Sequence, residues 1–224
     1  YHENGKLKKQ GVFFEADKTK STGLWKEYHS NGNLYSIGNY NHLLGSHVKI
    51  GEWKFYFDNG NVEKDYEFSE KGKRTGVWKN YYENGGVRLI RRFNNKGEFI
   101  GLWEMYYETG ELKGRCNYDD KIKIKYLISI YFLNKWEFYY KNGNLKSIEY
   151  FGIGMWDNYA IEGGRIGDRY GFYQEFHENK MIKCEGNILK NKKIDVWKYY
   201  NNNGILEFEK NMNNKSDDEV IIEV

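Results

Sequence analysis

Gly23-Leu24-Trp25-Lys26-Glu27-Tyr28-His29-Ser30-Asn31-Gly32-Asn33-Leu34, closed six residues later by Tyr40, is a phrase this chain repeats from end to end. Gly51–Trp53–Tyr56–Gly60–Val62–Phe68, Gly76–Trp78–Tyr81–Gly85–Val87–Phe93 and Gly101–Trp103–Tyr106–Gly110–Leu112–Tyr118 keep its frame. Trp136, Tyr139, Gly143, Leu145 and Phe151 continue it. A worn copy follows at Gly171–Tyr173–Phe176–Lys180–Ile182–Ile188, and the last is Trp197–Tyr200–Gly204–Leu206–Met212. The chain opens inside another copy, at Tyr1, Gly5, Leu7 and Phe13. Successive Leu/Val/Ile landmarks lie 27, 28, 25, 25, 33, 37 and 24 residues apart. A period of this size marks an array of stacked units, each too small to bury its own apolar face.

Asn-Gly between aromatic and aliphatic runs is a strong hairpin signal, because a type I′ turn needs positive φ at both central residues. Asn4-Gly5, Asn31-Gly32, Asn59-Gly60, Asn84-Gly85, Asn142-Gly143 and Asn203-Gly204 supply it, with Thr109-Gly110 and Asn179-Lys180 as weaker versions. A turn on Asn31-Gly32 sets His29 opposite Leu34, Glu27 opposite Ser36, Trp25 opposite Gly38 and Gly23 opposite Tyr40. The closing aromatic is then expected to cover the opening glycine, a device that pins register. Alternation puts the tryptophans on one mostly apolar, buried face. The opposite, wet face carries Tyr28, Tyr56, Tyr81, Tyr106 and Tyr139 beside Lys26, Lys54 and Lys79, with Arg88 and Arg92 on the returning strand. The fold expected is all-β: an elongated single-layer antiparallel sheet of about eight stacked β-hairpins, with no long helix.

One repeat domain is expected over residues 1–212, with a polar tail or cap over 213–224. Proline is absent from all 224 residues, which suits a backbone whose N–H groups are mostly paired in ladders. Aromatics make up 18% and carry the core, because a thin sheet needs large side chains to bury enough area. Two stretches break the frame, 119–133 and 153–169, and give the chain its individuality. Net charge is +3, from 35 basic and 32 acidic side chains; nucleic-acid-binding domains are far more basic, so no nucleic-acid partner is expected. No run reaches the ~18 apolar residues of a transmembrane helix.

Catalytic and metal-binding patterns do not stand out from the repeat columns. His2, His29 and His177 share one column beside the turn, and His42 and His47 fall in a loop. No Cys/His pair has zinc spacing, and no glycine run precedes the Lys-Ser/Thr of a phosphate loop. Cys116 and Cys184 fall on the apolar face of non-adjacent copies, so each reads as a small buried hydrophobe and not as half of a disulfide. No cofactor and no enzymatic activity are expected. The candidate binding residues are the tyrosine column Tyr28, Tyr56, Tyr81, Tyr106 and Tyr139, together with the basic Lys79, Arg88, Arg92, Lys113 and Arg115. Rings flanked by arginine make good contact surfaces.

The phrase Gly-x-Trp-x-x-Tyr-x-x-Asn-Gly-x-Leu resembles the MORN-repeat variant of bacterial proteins often labelled YwqK-type antitoxins. Trp25–Leu34, Trp53–Val62, Trp78–Val87 and Trp103–Leu112 fit it best. The resemblance implies stacked hairpins and a binding role, with neutralisation of a toxin as one form of it; it carries no catalytic residues. The chain is also similar to choline-binding aromatic hairpins, but Trp and Tyr three apart fall on opposite faces and cannot form their cage. The expectation is a non-enzymatic interaction module binding a protein partner, an acidic segment or a toxin, as an antitoxin or immunity-type protein. The alternative is an exported surface protein that binds a host protein, a carbohydrate or a lipid headgroup. A cytoplasmic location goes with the first, and export, with a signal peptide ahead of Tyr1, goes with the second.

Overall fold

The computed structural model describes residues 1–14, 17–43, 46–118, 122–126, 129–153 and 168–213. The tail at 214–224 and most of the 153–169 stretch lie outside them. The chain divides into two compact units, residues 1–110 and 111–224. In the first, β1 (Lys9–Phe14), β2 (Asp17–Tyr28), β3 (Leu34–Leu43), β4 (Ser46–Tyr56), β5 (Val62–Phe68), β6 (Arg74–Tyr81), β7 (Val87–Phe93) and β8 (Leu102–Tyr106) pair antiparallel in chain order. The second holds β9 (Leu112–Asn117), β10 (Ile122–Tyr126), β11 (Ser129–Tyr139), β12 (Leu145–Ile153), β13 (Tyr170–Phe176), β14 (Ile182–Leu189), β15 (Lys192–Tyr200) and β16 (Leu206–Asn211). There β9 pairs with β11, the chain-order ladder then runs from β11 to β16, and β10 flanks β11. Within the extra stretch at 119–133, β10 thus pairs antiparallel with the first half of β11. The fold is all-β and open, with no helix among the described residues. His42 and His47, expected in a loop, face each other across β3 and β4.

Each Asn-Gly sits in a tight turn, but not the expected type I′ turn. His29 accepts from the Gly32 N–H at 2.9 Å, and its own N–H donates to Asn33 at 2.8 Å. Gly32 has φ +94° while Asn31 is not left-handed, which describes a type I turn followed by a left-handed glycine. Asn31 instead folds its Oδ1 onto the Asn33 N–H at 2.8 Å, an Asx turn. This glycine bulge moves the pairing beside the turn, so Tyr28 and not His29 faces Leu34. Beyond it Glu27↔Ser36, Trp25↔Gly38 and Gly23↔Tyr40 stand as expected. A true type I′ pair occurs at Lys190 (φ +49°) and Asn191 (φ +66°), between β14 and β15.

The turns also clasp one another. Asn31 Nδ2 donates to the Asp58 carbonyl at 3.0 Å, and Asn84 Nδ2 to that of Glu108 at 3.2 Å. One residue before each turn, His2, His29 and His177 aim Nε2 at the carbonyls of Tyr28, Tyr56 and Tyr200 at 2.8–3.0 Å. Tyr82 and Tyr140 hydroxyls donate to Tyr106 and Phe176 in the same way. The histidine column is therefore a set of tethers between neighbouring hairpins.

Candidate binding faces

The opening glycine is required for its backbone. Gly23, Gly51, Gly76, Gly101 and Gly171 have φ between +59° and +78°, and Asp195 takes φ +60° at the same point of the last copy. A Cβ on Gly23 or Gly51 would meet nothing within 4 Å, so the closing aromatic does not cover these glycines as expected. The left-handed residue opens a bulge instead. Gly38 faces Trp53 and Asn39 faces Ile50, so Gly51 and Glu52 loop out of the ladder. A bulge leaves ladder groups without their partners. The Trp53 indole Nε1–H takes over, donating to the Asn39 carbonyl at 3.0 Å. Trp25, Trp78 and Trp197 do the same to Val12, Glu67 and Asn187 at 2.8–3.1 Å. In the fifth copy the Arg92 carbonyl accepts from the Ile100 N–H. Gly-x-Trp is thus a bulge and its hydrogen-bonding plug.

Glycines covered by aromatics do exist, one strand away. A Cβ on Gly11, Gly38 or Gly186 would fall 2.2, 2.2 and 2.6 Å from the ring atoms of Trp25, Trp53 and Trp197. Trp25, Trp53, Trp78, Trp103, Trp136 and Trp197 are all buried. In the first unit the closing aromatics bridge them. Tyr40 lies 6.4 Å from Trp25 and 4.8 Å from Trp53, and Phe93 lies 5.1 Å from Trp78. This face is less apolar than expected, since Ser36, Asn80, Arg91, Asn134 and Ser147 are buried on it. Arg91 lies 5.9 Å from the rings of both Trp78 and Trp103 and donates to Asn80 Oδ1 at 3.0 Å. Burial lowers its pKa, though a guanidinium starts high enough to stay charged. Cys116 and Cys184 are buried thiols not joined in a disulfide, as expected. Burial and then the Glu175 charge push the Cys184 thiol up to about 11, far from a reactive thiolate.

The tryptophan side is capped by cations. Lys49 Nζ sits 4.6 Å above Trp53, Arg74 5.4 Å above Trp78, and Lys9 5.7 Å above Trp25. In the second unit Lys193 lies 3.9 Å above Trp197. Long aliphatic stems cover the rings while the charged ends reach water. Sequence reading passed over these residues; the signal was that Lys49, Arg74 and Lys193 each stand four before a tryptophan. Arg88 joins this side, against the alternation that placed it with the tyrosines. It is the bulged residue of the β6–β7 hairpin, left out of the ladder between Val87 and Leu89. The equivalent Tyr35 and Lys183 turn to the tryptophan side, toward Phe55 and Glu175. The acids seen on this side of the first unit are engaged, Glu27 with Ser36 and Glu63 with Lys64.

The tyrosine face is electrically balanced. Tyr28, Tyr56, Tyr81 and Tyr106 are half-buried, one per hairpin of the first unit. Lys54, Asp65 and Lys79 face one another across β4, β5 and β6. Arg92 donates to the Leu102 carbonyl and pairs with Glu104 at 3.3 Å. Burial, then Asp65, raises the Tyr81 pKa, and burial, then Glu104, raises that of Tyr106. In the second unit Lys113 is exposed on β9, and Arg115 bonds Glu137 at 2.8 Å while lying 5.6 Å from the Tyr139 ring. Burial pushes Glu137 up, but hydrogen bonds from Tyr139, Arg115 and Lys135 outweigh it and hold the carboxyl at about 2. Burial and this carboxylate raise Tyr139 to about 12. Lys79, Arg92, Arg115 and the tyrosines thus stand on this face as expected, with Arg92 and Arg115 already paired.

The hairpin with a left-handed glycine, a plugging tryptophan and an Asn-Gly turn is also what the comparisons find. The family model described as MORN repeat variant matches residues 1–15, 21–42, 49–70, 74–95, 100–120 and 133–151, more than half of the chain. The chain belongs to the MORN repeat variant family. Its β13–β14 and β15–β16 hairpins lie outside the matched segments yet repeat the same bulged design. MORN repeats are protein- and lipid-binding modules. No curated protein matches the sequence. Among solved structures, a porin-like protein from Bacteroides uniformis is 10% identical, with 84% of this chain and 86% of that one covered and a TM-score of 0.19. A second, the TcdB2-TccC3-TEV structure, is 10% identical with a TM-score of 0.15, and this chain spans 83% of itself and 13% of that chain. At such scores neither likeness carries an argument. No helix among the described residues is long and apolar enough to cross a membrane.

Proposed function

We propose that this chain is a non-enzymatic protein-binding module of the antitoxin or immunity type. Its partner is an acidic protein segment laid across the cation-capped side of residues 1–110. The unequal charge of the two faces carries this reading. On the tryptophan side Lys9, Lys49, Lys64 and Arg74 stand over rings and the bulged Arg88 adds a further exposed charge, whereas acids and bases alternate on the tyrosine side. Cations held over aromatic rings have already lost part of their side-chain freedom, so less is lost on binding. Arginine adds bidentate pairing to carboxylates. Fixed positive charge also speeds encounter with an acidic partner.

A second reading keeps the partner on the tyrosine side, where alternation along β2 and β6 also puts Leu24 and Val77, 50% and 45% exposed. Two double variants separate them: Lys64→Glu with Arg88→Glu, and Tyr56→Ser with Tyr81→Ser. Partner capture from the native host is compared by quantitative mass spectrometry and repeated at high salt. The charge reversals are expected to lose an acidic protein that the tyrosine variant retains. The opposite pattern moves the site to the tyrosines. Loss of anionic-vesicle binding, with no protein affected, makes the chain a lipid binder instead.

A further inference from the structure

Six Asn-Gly pairs sit at equivalent turns, yet one is built differently. In five of them the asparagine amide is held at both ends. Its Oδ1 accepts the N–H two residues on: from Lys6, Asn33, Asn61, Gly86 and Asn144 to Asn4, Asn31, Asn59, Asn84 and Asn142, at 2.8–3.2 Å. Its Nδ2 reaches the next hairpin, at Ser30, Asp58, Glu83, Glu108 and Glu178, at 2.8–3.4 Å. Asn203 has neither bond. In its turn the N–H groups of Asn203 and Ile205 both go to Asn201 Oδ1, at 2.9 and 3.1 Å. Asn203 belongs to the last hairpin of the ladder and is exposed. Among the described residues its side-chain amide makes no hydrogen bond.

We propose that Asn203 is the chain's site of spontaneous deamidation. The Gly204 backbone nitrogen attacks the Asn203 Cγ and loses its proton, and the side-chain nitrogen leaves as ammonia, which closes a succinimide. Water then opens either carbonyl, giving aspartate or isoaspartate. Glycine has no side chain to hinder the attack, so all six pairs share the intrinsic reactivity. The difference lies in what must first break. At every one of these turns the glycine N–H is tied back three residues, as Gly204 is to Asn201 at 2.9 Å, so the turn must open before attack. At Asn31, Asn59, Asn84 and Asn142 the reacting side chain must also give up two hydrogen bonds of its own, while the bonds that brace the last turn belong to Asn201 and leave the Asn203 amide already loose among the described residues. The product places a negative charge at the tip of the last hairpin, and an isoaspartate adds a methylene to a backbone built around a left-handed glycine (φ +77°).

The test is ageing of the folded full chain at mildly alkaline pH, with peptide mapping that resolves aspartate from isoaspartate. A urea-unfolded sample is aged in parallel. Unfolded, the six sites are expected to react at similar rates. Folded, Asn203 should react at least about tenfold faster than Asn31, Asn59, Asn84 and Asn142, the factor two modest hydrogen bonds represent. Comparable rates at all sites of the folded chain, or first reaction at an interior site, would overturn the proposal. So would protection of Asn203 relative to its unfolded rate equal to that of Asn31.

Discussion

Replacing Gly38 by alanine separates two reasons for glycine that look alike in the sequence. The new Cβ would lie 2.2–2.5 Å from Trp53 Cδ2, Cε2 and Cγ. That ring is 1% exposed and fixed by its bond to the Asn39 carbonyl at 3.0 Å, so it has no low-cost way to retreat. Overpacking of a filled site costs about 1–3 kcal/mol, and loosening the indole bond adds about 1 kcal/mol. Reduced freedom of the unfolded alanine chain returns about 0.5–1 kcal/mol, which leaves a loss of about 2–3 kcal/mol. Gly23→Ala meets no atom within 4 Å and suffers only from φ +65°, about 1 kcal/mol after the same offset. Urea denaturation followed by tryptophan fluorescence measures both, with the slope checked for constancy. A Gly38→Ala protein as stable as Gly23→Ala, or as wild type, refutes the claim that the indole lies directly on the glycine.

Three further outcomes follow from the same geometry. Lys180 holds φ +75° where the other turns have glycine, so Lys180→Gly should raise stability by about 1 kcal/mol; a drop in the urea midpoint would count against it. His29→Phe removes the tether to Tyr56 but installs the ring that Phe57 already provides one repeat on, so it should cost about 1 kcal/mol and leave the circular dichroism spectrum unchanged. Glu137 has a folded pKa of about 2, depressed from 4.5. Its contribution is therefore fully present above the unfolded value and is lost as pH falls from about 4.5 toward 2. Because the site is partly solvated, the loss should be about 1 kcal/mol, and Glu137→Gln should abolish that part of the acid dependence in pH-resolved denaturation.

The repeat frame was legible because it repeats: one Asn-Gly is a hint, and the same spacing over and over fixes strand positions and the tryptophan face. Turn type was not legible, because Asn-Gly suits both the two-residue I′ turn and the three-residue turn with a glycine bulge. Only the ladder reveals which one forms. That bulge is also why Arg88 was misplaced: alternation holds along an unbroken strand, and a bulged residue leaves it. Gly23 and Gly38 are both glycine in the sequence, yet one supplies a dihedral angle and the other a space. The cations over the indoles went unread because Lys49, Arg74 and Lys193 resemble ordinary surface charge until the rings beneath them are placed. Tyr81 and Tyr106 were placed correctly by alternation, but their charged neighbours' pairing depends on contacts between hairpins that spacing alone does not give.

The most direct test of the account is hydrogen exchange at the tryptophan indoles, read by nuclear magnetic resonance on the native protein. If each indole plugs the bulge of its own strand by bonding the freed carbonyl of the preceding one, the Nε1 protons of Trp25, Trp53, Trp78 and Trp197 should exchange only when the sheet itself opens, as slowly as neighbouring ladder amides. Exchange of these four at the rate of a free indole would contradict the account.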